Sequence, residues 1–163
     1  MRLLLAIALT GMAFWAGPAR SAQDPASPAW IGIRVNLFMS LCPATAPSFG
    51  RFTATAHGNG FRTDSNGRQV YKATEIVASI RNVDGQCDCL VSFGTDKPKL
   101  AANMILQRLL SKYGSRFQPD KDPDSLGVLK TADGDLSIQL VTMREAKGQW
   151  IGAVVHGKQR CPA

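Results

Sequence analysis

The chain has 163 residues, 45% of them hydrophobic, and its 19 basic and 12 acidic side chains give a formal net charge of +7. This length excludes several large domains and fits a single domain with a sizeable hydrophobic core. The basic residues are scattered and do not alternate with aromatic residues, so the sequence argues against a nucleic-acid-binding surface.

Residues 1–21 have the pattern of a secretory signal peptide. Arg2 is followed by an apolar run over residues 3–15, and small residues then lead to a predicted cleavage site after Ser21. This run is shorter than the roughly 20 residues that span a bilayer, and no later stretch is long and apolar enough, so we expect no membrane span in the mature form. Removing residues 1–21, which include two arginines and no acidic residue, leaves a net charge of +5. The sequence therefore predicts a periplasmic or secreted protein.

The next residues, 22–29, are rich in proline and predict a flexible lead-in to a single α+β domain over residues 30–163. Residues 30–41 carry apolar side chains on alternate positions, as a strand would, but they also form a helical stripe. We favour a helix here, and the strand alternative stays open. A short helix is predicted from Pro47 to His57, because proline suits a first helical turn and Gly58 suits a helix end.

The strongest local signal is Asp84-Gly85, which lies between two apolar-rich runs. A type I′ turn needs positive φ at both central residues, and this dipeptide tolerates it, so a β-hairpin is predicted. Counting outward from the turn pairs Ile80 with Cys89 and Ile76 with Phe93. Since alternate residues share a face, the predicted core face holds Ile76, Ala78, Ile80, Cys89, Val91 and Phe93.

The rest of the chain predicts one long helix and further strands. Between Thr95 and Gly114 apolar residues recur at helical spacing, with Leu106 on the core side and Gln107 on the solvent side. Strands are predicted over residues 69–73, 126–132, 135–143 and 149–156, with a turn at Asp133-Gly134. Links within each strand cluster are too short for parallel crossovers. The predicted fold class is therefore α+β, an antiparallel sheet built from two Asp-Gly hairpin clusters with two helices on one face.

All four cysteines, Cys42, Cys87, Cys89 and Cys161, follow the predicted signal peptide. An even number in an exported chain favours disulfide bonds. Cys89 is predicted on the apolar face of the hairpin, so we pair it with Cys42 and assign Cys87 to Cys161 on the C-terminal tail. The alternative, Cys42 with Cys87 and Cys89 with Cys161, would carry the tail into the core.

A metal site is the main alternative for the cysteines. Cys87 and Cys89 stand two residues apart on one side of a strand, about 7 Å from each other, and could bind copper or zinc. His57, His156, Met39 or Met143 could complete such a site. Neither histidine has a partner at ligand spacing, so we expect no cofactor. A cysteine nucleophile with either histidine as its base is a third hypothesis, which would need a free thiol.

No spacing that marks a catalytic mechanism occurs in the chain: Gly-x-Ser-x-Gly, Ser-x-x-Lys, His-Glu-x-x-His and the phosphate-binding Gly-Lys-Ser/Thr loop are all missing from the sequence. The sequence therefore predicts an exported, non-enzymatic binding protein of the inhibitor or immunity type. Its partner would be an envelope or extracellular protein, which no motif identifies. The alternative function is a periplasmic copper- or zinc-binding protein that uses Cys87 and Cys89.

Overall fold

The computed structural model describes residues 24–71, 75–122, 124–145, 148–157 and 160–161. Its helices are α1 (Pro28–Leu41), α2 (Phe52–Gly58), α3 (Pro98–Tyr113) and a short 3-10 turn (Gly114–Arg116). Its strands are β1 (Arg62–Thr63), β2 (Gln69–Tyr71), β3 (Ile76–Val83), β4 (Gln86–Gly94), β5 (Phe117–Pro119), β6 (Ser125–Thr131), β7 (Gly134–Glu145) and β8 (Gly148–His156). The predicted α+β class is confirmed, with three α-helices where the predicted fold class had two.

The eight strands form one antiparallel sheet in the order β1-β2-β3-β4-β8-β7-β6-β5. Each half of the sheet is a four-stranded meander that follows a helical segment, α1 and α2 before the first and α3 before the second. The last strands of the two meanders, β4 and β8, pair at the centre. The antiparallel arrangement agrees with the short links between strands.

The hairpin of β3 and β4 has the register obtained by counting outward from its turn. Ile76 pairs with Phe93, Ile80 with Cys89 and Val83 with Gln86. The two turn residues, Asp84 and Gly85, have φ of 51° and 81°, the left-handed conformation that a type I′ turn requires.

The turn between β6 and β7 differs from the prediction by one residue. Thr131 pairs with Gly134, so Ala132 and Asp133 form the turn, and Gly134 already belongs to β7. The hydroxyl of Thr131 donates a hydrogen bond to the Gly134 carbonyl oxygen over 2.7 Å. This side-chain bond holds the turn one position before the expected Asp133-Gly134.

Helix α1 confirms the helical interpretation of residues 30–41 but begins earlier than expected. The Ser27 hydroxyl accepts a hydrogen bond from the Trp30 amide over 3.2 Å, and Pro28 occupies the first turn, a standard helix start. The predicted lead-in of residues 22–29 thus contributes its last two residues to α1. Further back, the Pro25 carbonyl accepts a hydrogen bond from the Thr95 hydroxyl over 3.1 Å, which joins this segment to the end of β4.

The predicted helix from Pro47 to His57 is wrong in its first half, because α2 begins only at Phe52. Phe49 has a φ of 54°, and a residue in that conformation cannot continue a right-handed helix. Its side chain is instead buried in the core. The sequence also did not indicate the two-residue strand β1.

One hydrophobic cluster joins the helices to the sheet. Most of its strand residues share one face of the sheet, which we call the covered face. We define this face by Ile76, Ala78, Cys89, Val91, Phe93, Leu129, Leu136, Ile138, Ile151, Ala153 and Val155. Its α3 members include Ile105 and Leu109, while Leu106 is only partly buried and Gln107 is exposed. The predicted orientation of α3, with Leu106 toward the core and Gln107 toward solvent, is therefore confirmed. Ile105 is more completely buried than Leu106.

Candidate functional site

The four cysteines form two disulfide bonds, Cys42 with Cys89 and Cys87 with Cys161. Their Cα atoms are 5.5 Å and 4.6 Å apart, within the usual range for disulfides. Cys42 and Cys89 are fully buried, whereas Cys161 is partly exposed. This is the first of the two pairings considered from the sequence, and disulfides of this kind are typical of oxidising compartments.

The disulfides leave no free cysteine in the chain. A cysteine binds a metal or acts as a nucleophile through its thiolate. Neither Cys87 nor Cys89 has a thiolate while it is in a disulfide bond. The four other candidate ligands lie on four separate elements, His57 on α2, His156 on β8, Met39 on α1 and Met143 on β7. Across the described part of the chain, no three His, Cys, Asp or Glu side chains come together as a metal site.

The other side of the sheet has a different surface, which we call the open face because none of its residues belongs to the core cluster. Pairing across the strands arranges its side chains in rows perpendicular to the strands. The open face includes Arg62, Val70, Val77, Ser79, Arg81, Asp88, Leu90, Ser92, Val128, Lys130, Asp135, Ser137, Gln139, Val141, Met143, Trp150, Val154 and His156.

An apolar row crosses the centre of the open face. Val70 on β2 faces Val77 on β3, and the row continues through Ser92 and Gly152 to Val141 on β7. Val141 is 37% exposed, and the two other valines are partly buried.

The neighbouring row pairs Leu90 with Val154. Leu90 lies over Gly152, where an added Cβ would be 3.0 Å from its Cδ1 atom. The glycine therefore makes room for this leucine. Together the two rows place a strip of apolar residues across five strands, on the side of the sheet away from the core cluster, with Ser79, Ser92 and Gln139 as polar positions in it. Leu90 and Ser92, on the central strand β4, are buried, so the exposed apolar part of the strip is the valines.

A polar row lies nearer the turn of the β3-β4 hairpin. Arg81, Asp88, His156 and Ser137 stand directly opposite one another on β3, β4, β8 and β7. Nδ1 of His156 lies 3.0 Å from Oδ1 of the buried Asp88. The sequence could not show this pair, since the two residues lie in different halves of the chain and only the strand order joins them.

The order carboxylate, imidazole and hydroxyl in this row resembles that of an acyl-transfer triad, but the essential contact is missing. Nε2 of His156 is buried and has no hydrogen-bond partner among the described residues, so Ser137 is not bonded to it. An activated hydroxyl nucleophile is typically hydrogen-bonded to its base, and Ser137 does not make this contact to His156. The row therefore places the close contact between Asp88 and His156 beside a cavity of about 390 Å³. This cavity is lined by Gln86, Val128, Asp135, Ser137, His156 and Gly157.

A buried ion pair lies at the other end of the sheet from His156. Arg34 on α1 is only 3% exposed and pairs with Glu75, which precedes β3. Its guanidinium carbon lies 3.6 Å from the ring centroid of Trp30, and Nη1 donates a hydrogen bond to the Trp30 carbonyl over 3.2 Å. Burial lowers the pKa of the Arg34 guanidinium from its ordinary value, because desolvation disfavours the charged form.

Next to this ion pair is a cavity of about 330 Å³, bounded by the end of β4 and the start of β8. Trp30, Glu75, Asp96 and Trp150 supply its aromatic and charged side chains. Trp150 also belongs to the open face, where it stands opposite Gly94. The cavity therefore borders the open face at one end, as the His156 cavity does at the other.

Comparisons with known proteins do not identify the chain: it matches no protein-family model, no curated protein and no solved structure. None of the helices in the described residues is both long and apolar enough to cross a membrane. Function must therefore be inferred from the two faces of the sheet and the sites at their ends.

Proposed function

We propose that the protein is an exported, non-enzymatic binding protein of the inhibitor or immunity type that uses its open face to bind another protein. The observation that carries this proposal is the apolar strip on the open face, on the side of the sheet away from the core cluster. An antiparallel sheet that merely faces water normally alternates apolar and polar residues, with the polar ones outward. Here valines occupy outward positions on four strands.

The charged residues around the strip favour a protein partner. Arg62 and Arg81 lie on the open face at one side, and Lys130 and Asp135 form a cross-strand pair at the other. An apolar centre within a polar rim is the usual anatomy of a protein–protein interface. The partner would therefore present an apolar patch of its own to the strip.

Export is supported by the predicted signal peptide over residues 1–21 and by the two disulfides. We expect the mature protein to begin at Ala22, which an intact-mass measurement on the exported protein will check. A mature species that still begins at Met1 would contradict export by cleavage. The copper or zinc alternative would require reduction of both disulfides, and nothing in the geometry favours it.

Site-specific photo-crosslinking tests the binding face. A photo-reactive residue at Val141 should crosslink to one protein in an envelope or culture-fluid extract, while the same residue at the exposed Gln107 of α3 should not. The crosslinked partner is then purified, and Val141→Asp should weaken its binding at least about tenfold, a typical loss when a central interface contact is removed. Gln107→Asp is the matched control. Equal crosslinking at both positions, or unchanged binding by Val141→Asp, would refute the proposal.

A further inference from the structure

We propose that the cavity between Trp150 and Asp96 binds a cationic side chain, a lysine or an arginine that the partner protein inserts at the end of the open face. This inference rests on the proposed function, because it names one chemical feature of the partner. It follows from three observations: the shape of the cavity, the charge of its lining, and the side chain of Arg34, a cation of the chain itself that is held beside the cavity.

The shape is set by the pairing of Gly94 with Trp150 at the end of β4. A Cβ on Gly94 would lie 3.7 Å from Cε2 of the Trp150 indole, so the indole packs against bare backbone. The cavity of about 330 Å³ lies beside the ring. That volume is at the lower end of ordinary ligand-binding sites and suits one inserted side chain.

The charge of the lining is acidic although the chain as a whole is basic. Of the described residues that line the cavity, the charged ones are Glu75 and Asp96. Glu75 is already paired with Arg34. Asp96 is exposed and has no ion pair or hydrogen bond within the described ranges. One carboxylate is therefore available, and the lining would repel an anion.

The third observation is a cation that the protein already holds in the same way. The Arg34 guanidinium stacks on Trp30 and pairs with Glu75, which combines a cation–π contact with a charge-assisted pair. Trp150 and Asp96 bring a second indole and a second carboxylate to the lining of the same cavity. The cation at Trp30 and Glu75 is Arg34 of the chain itself. The cation at Trp150 and Asp96 would come from the partner protein.

Binding of small probes tests this site directly. N-acetyl-lysine methylamide and N-acetyl-arginine methylamide are titrated into the full mature protein, and binding is followed by the NMR shift of the indole N–H of Trp150. N-acetyl-norleucine methylamide has a similar chain without the charge and serves as the neutral control. We expect the cationic probes to bind about tenfold more tightly than the neutral one, as a cation–π contact with an ion pair allows.

Variants assign the effect to the two residues, with probe binding in every variant followed by the backbone amide shifts of Gly94 and Gln149, which line the same cavity, because the Trp150 variants lack the indole N–H. Trp150→Leu should weaken the cationic probes about tenfold, Asp96→Asn about threefold, and Trp150→Phe less than Trp150→Leu because it keeps a ring. Asp133→Asn, an exposed acid in the β6-β7 turn, should change nothing. Thermal melts of each variant show whether it is folded, and Asp96→Asn, at an exposed position, keeps the test valid if Trp150→Leu unfolds.

Equal affinity for norleucine, no binding of the cationic probes, or unchanged binding by Asp96→Asn and Trp150→Phe would overturn the inference. The Val141→Asp variant separates this result from the proposed function, since it should retain lysine binding while it loses the partner. If the probes fail to bind but the Val141 crosslink persists, the cavity proposal is wrong and the binding face stands. If the probes bind as expected and Val141 gives no crosslink, only the binding face is wrong.

Discussion

The covered and open faces of the sheet are made from the same strands, yet they differ in composition and in what they contact. On β4, Cys89 and Val91 point into the core, while their neighbours Asp88 and Leu90 point to the open face. Because successive side chains of a strand alternate, a shift of one residue exchanges the two environments. The covered face is almost wholly apolar and stabilises the fold, whereas the open face has polar and apolar rows. Stability and binding should therefore be separable by mutation.

The largest effect is expected where the covered face meets α3. Ile105→Asp should prevent folding, because Ile105 is 1% exposed and burying an unpaired carboxylate costs several kcal/mol, comparable to the roughly 5 to 15 kcal/mol of a whole domain. Leu106→Asp should destabilise less, because Leu106 is only partly buried. Urea unfolding measures both.

Gln107→Asp is the control for this series, since its position is exposed and should tolerate the charge. If the three variants have the same midpoint, the facing of α3 is wrong and with it the definition of the covered face.

The second effect concerns the disulfide that seals the covered face. Replacing Cys42 and Cys89 together by serine should lower the free energy of unfolding by about 4 kcal/mol, because the unfolded chain gains conformational entropy without the cross-link. The two buried hydroxyls should lower it further. Replacing Cys87 and Cys161 removes a comparable entropic term, because the sequence separation of that bridge is 74 against 47. It should cost less in total, because Cys161 is partly exposed and only one of the two new hydroxyls is fully buried. Thermal melts of the two double variants show which one loses more stability. A larger loss in the Cys87 and Cys161 variant would contradict this prediction.

A third, smaller effect is expected from the ion pair between α1 and β3. Glu75→Gln leaves the buried Arg34 without its carboxylate and should cost about 2 kcal/mol, less than the 3 to 5 kcal/mol of a fully buried pair because Glu75 is partly exposed. Adding Arg34→Met should recover part of the loss, because it removes the unpaired charge. A double variant that is less stable than Glu75→Gln alone would show that the stacking of Arg34 on Trp30 matters more than its charge.

The smallest effect on stability is expected on the open face. Val141→Asp should change the free energy of unfolding by less than about 0.5 kcal/mol, as surface substitutions usually do, although it should weaken partner binding strongly. Val155→Asp, on the covered face of the adjacent strand β8, is the contrasting variant. It should unfold the protein, because Val155 is fully buried. A large loss of stability in Val141→Asp, seen in a urea melt, would mean that the open face is packed against part of the chain.

Some of this architecture could be predicted because its causes are local. The β3-β4 register follows from the two turn residues that accept positive φ and from strand alternation, and it places Cys89 on the core side next to Ile80. The helix α3 has a clear apolar stripe because only one side of it is buried. The same reasoning was harder for α1, where Ile31, Arg34 and Val35, which lie outside the predicted helical stripe, are buried as well. A helix buried on most sides has no polar face to reveal its period.

The candidate sites could not be predicted, because their residues are distant in sequence. Asp88 and His156 form a pair only because β4 and β8 are neighbours at the centre of the sheet. Trp30 and Trp150 line one cavity only because α1 begins at the end of the sheet where β8 also begins.

By itself, then, the sequence determined the α+β class, the antiparallel pairing, the hairpin register and the facing of α3, because each depends on neighbouring residues or on the length of a link. Only the tertiary structure decided where α2 begins, the position of the β6-β7 turn, the strand order and the residues that meet at either end of the open face. The physical reason is that these features depend on contacts between segments far apart in the chain: packing holds Phe49 in the core at positive φ, and strand order sets which side chains share a row.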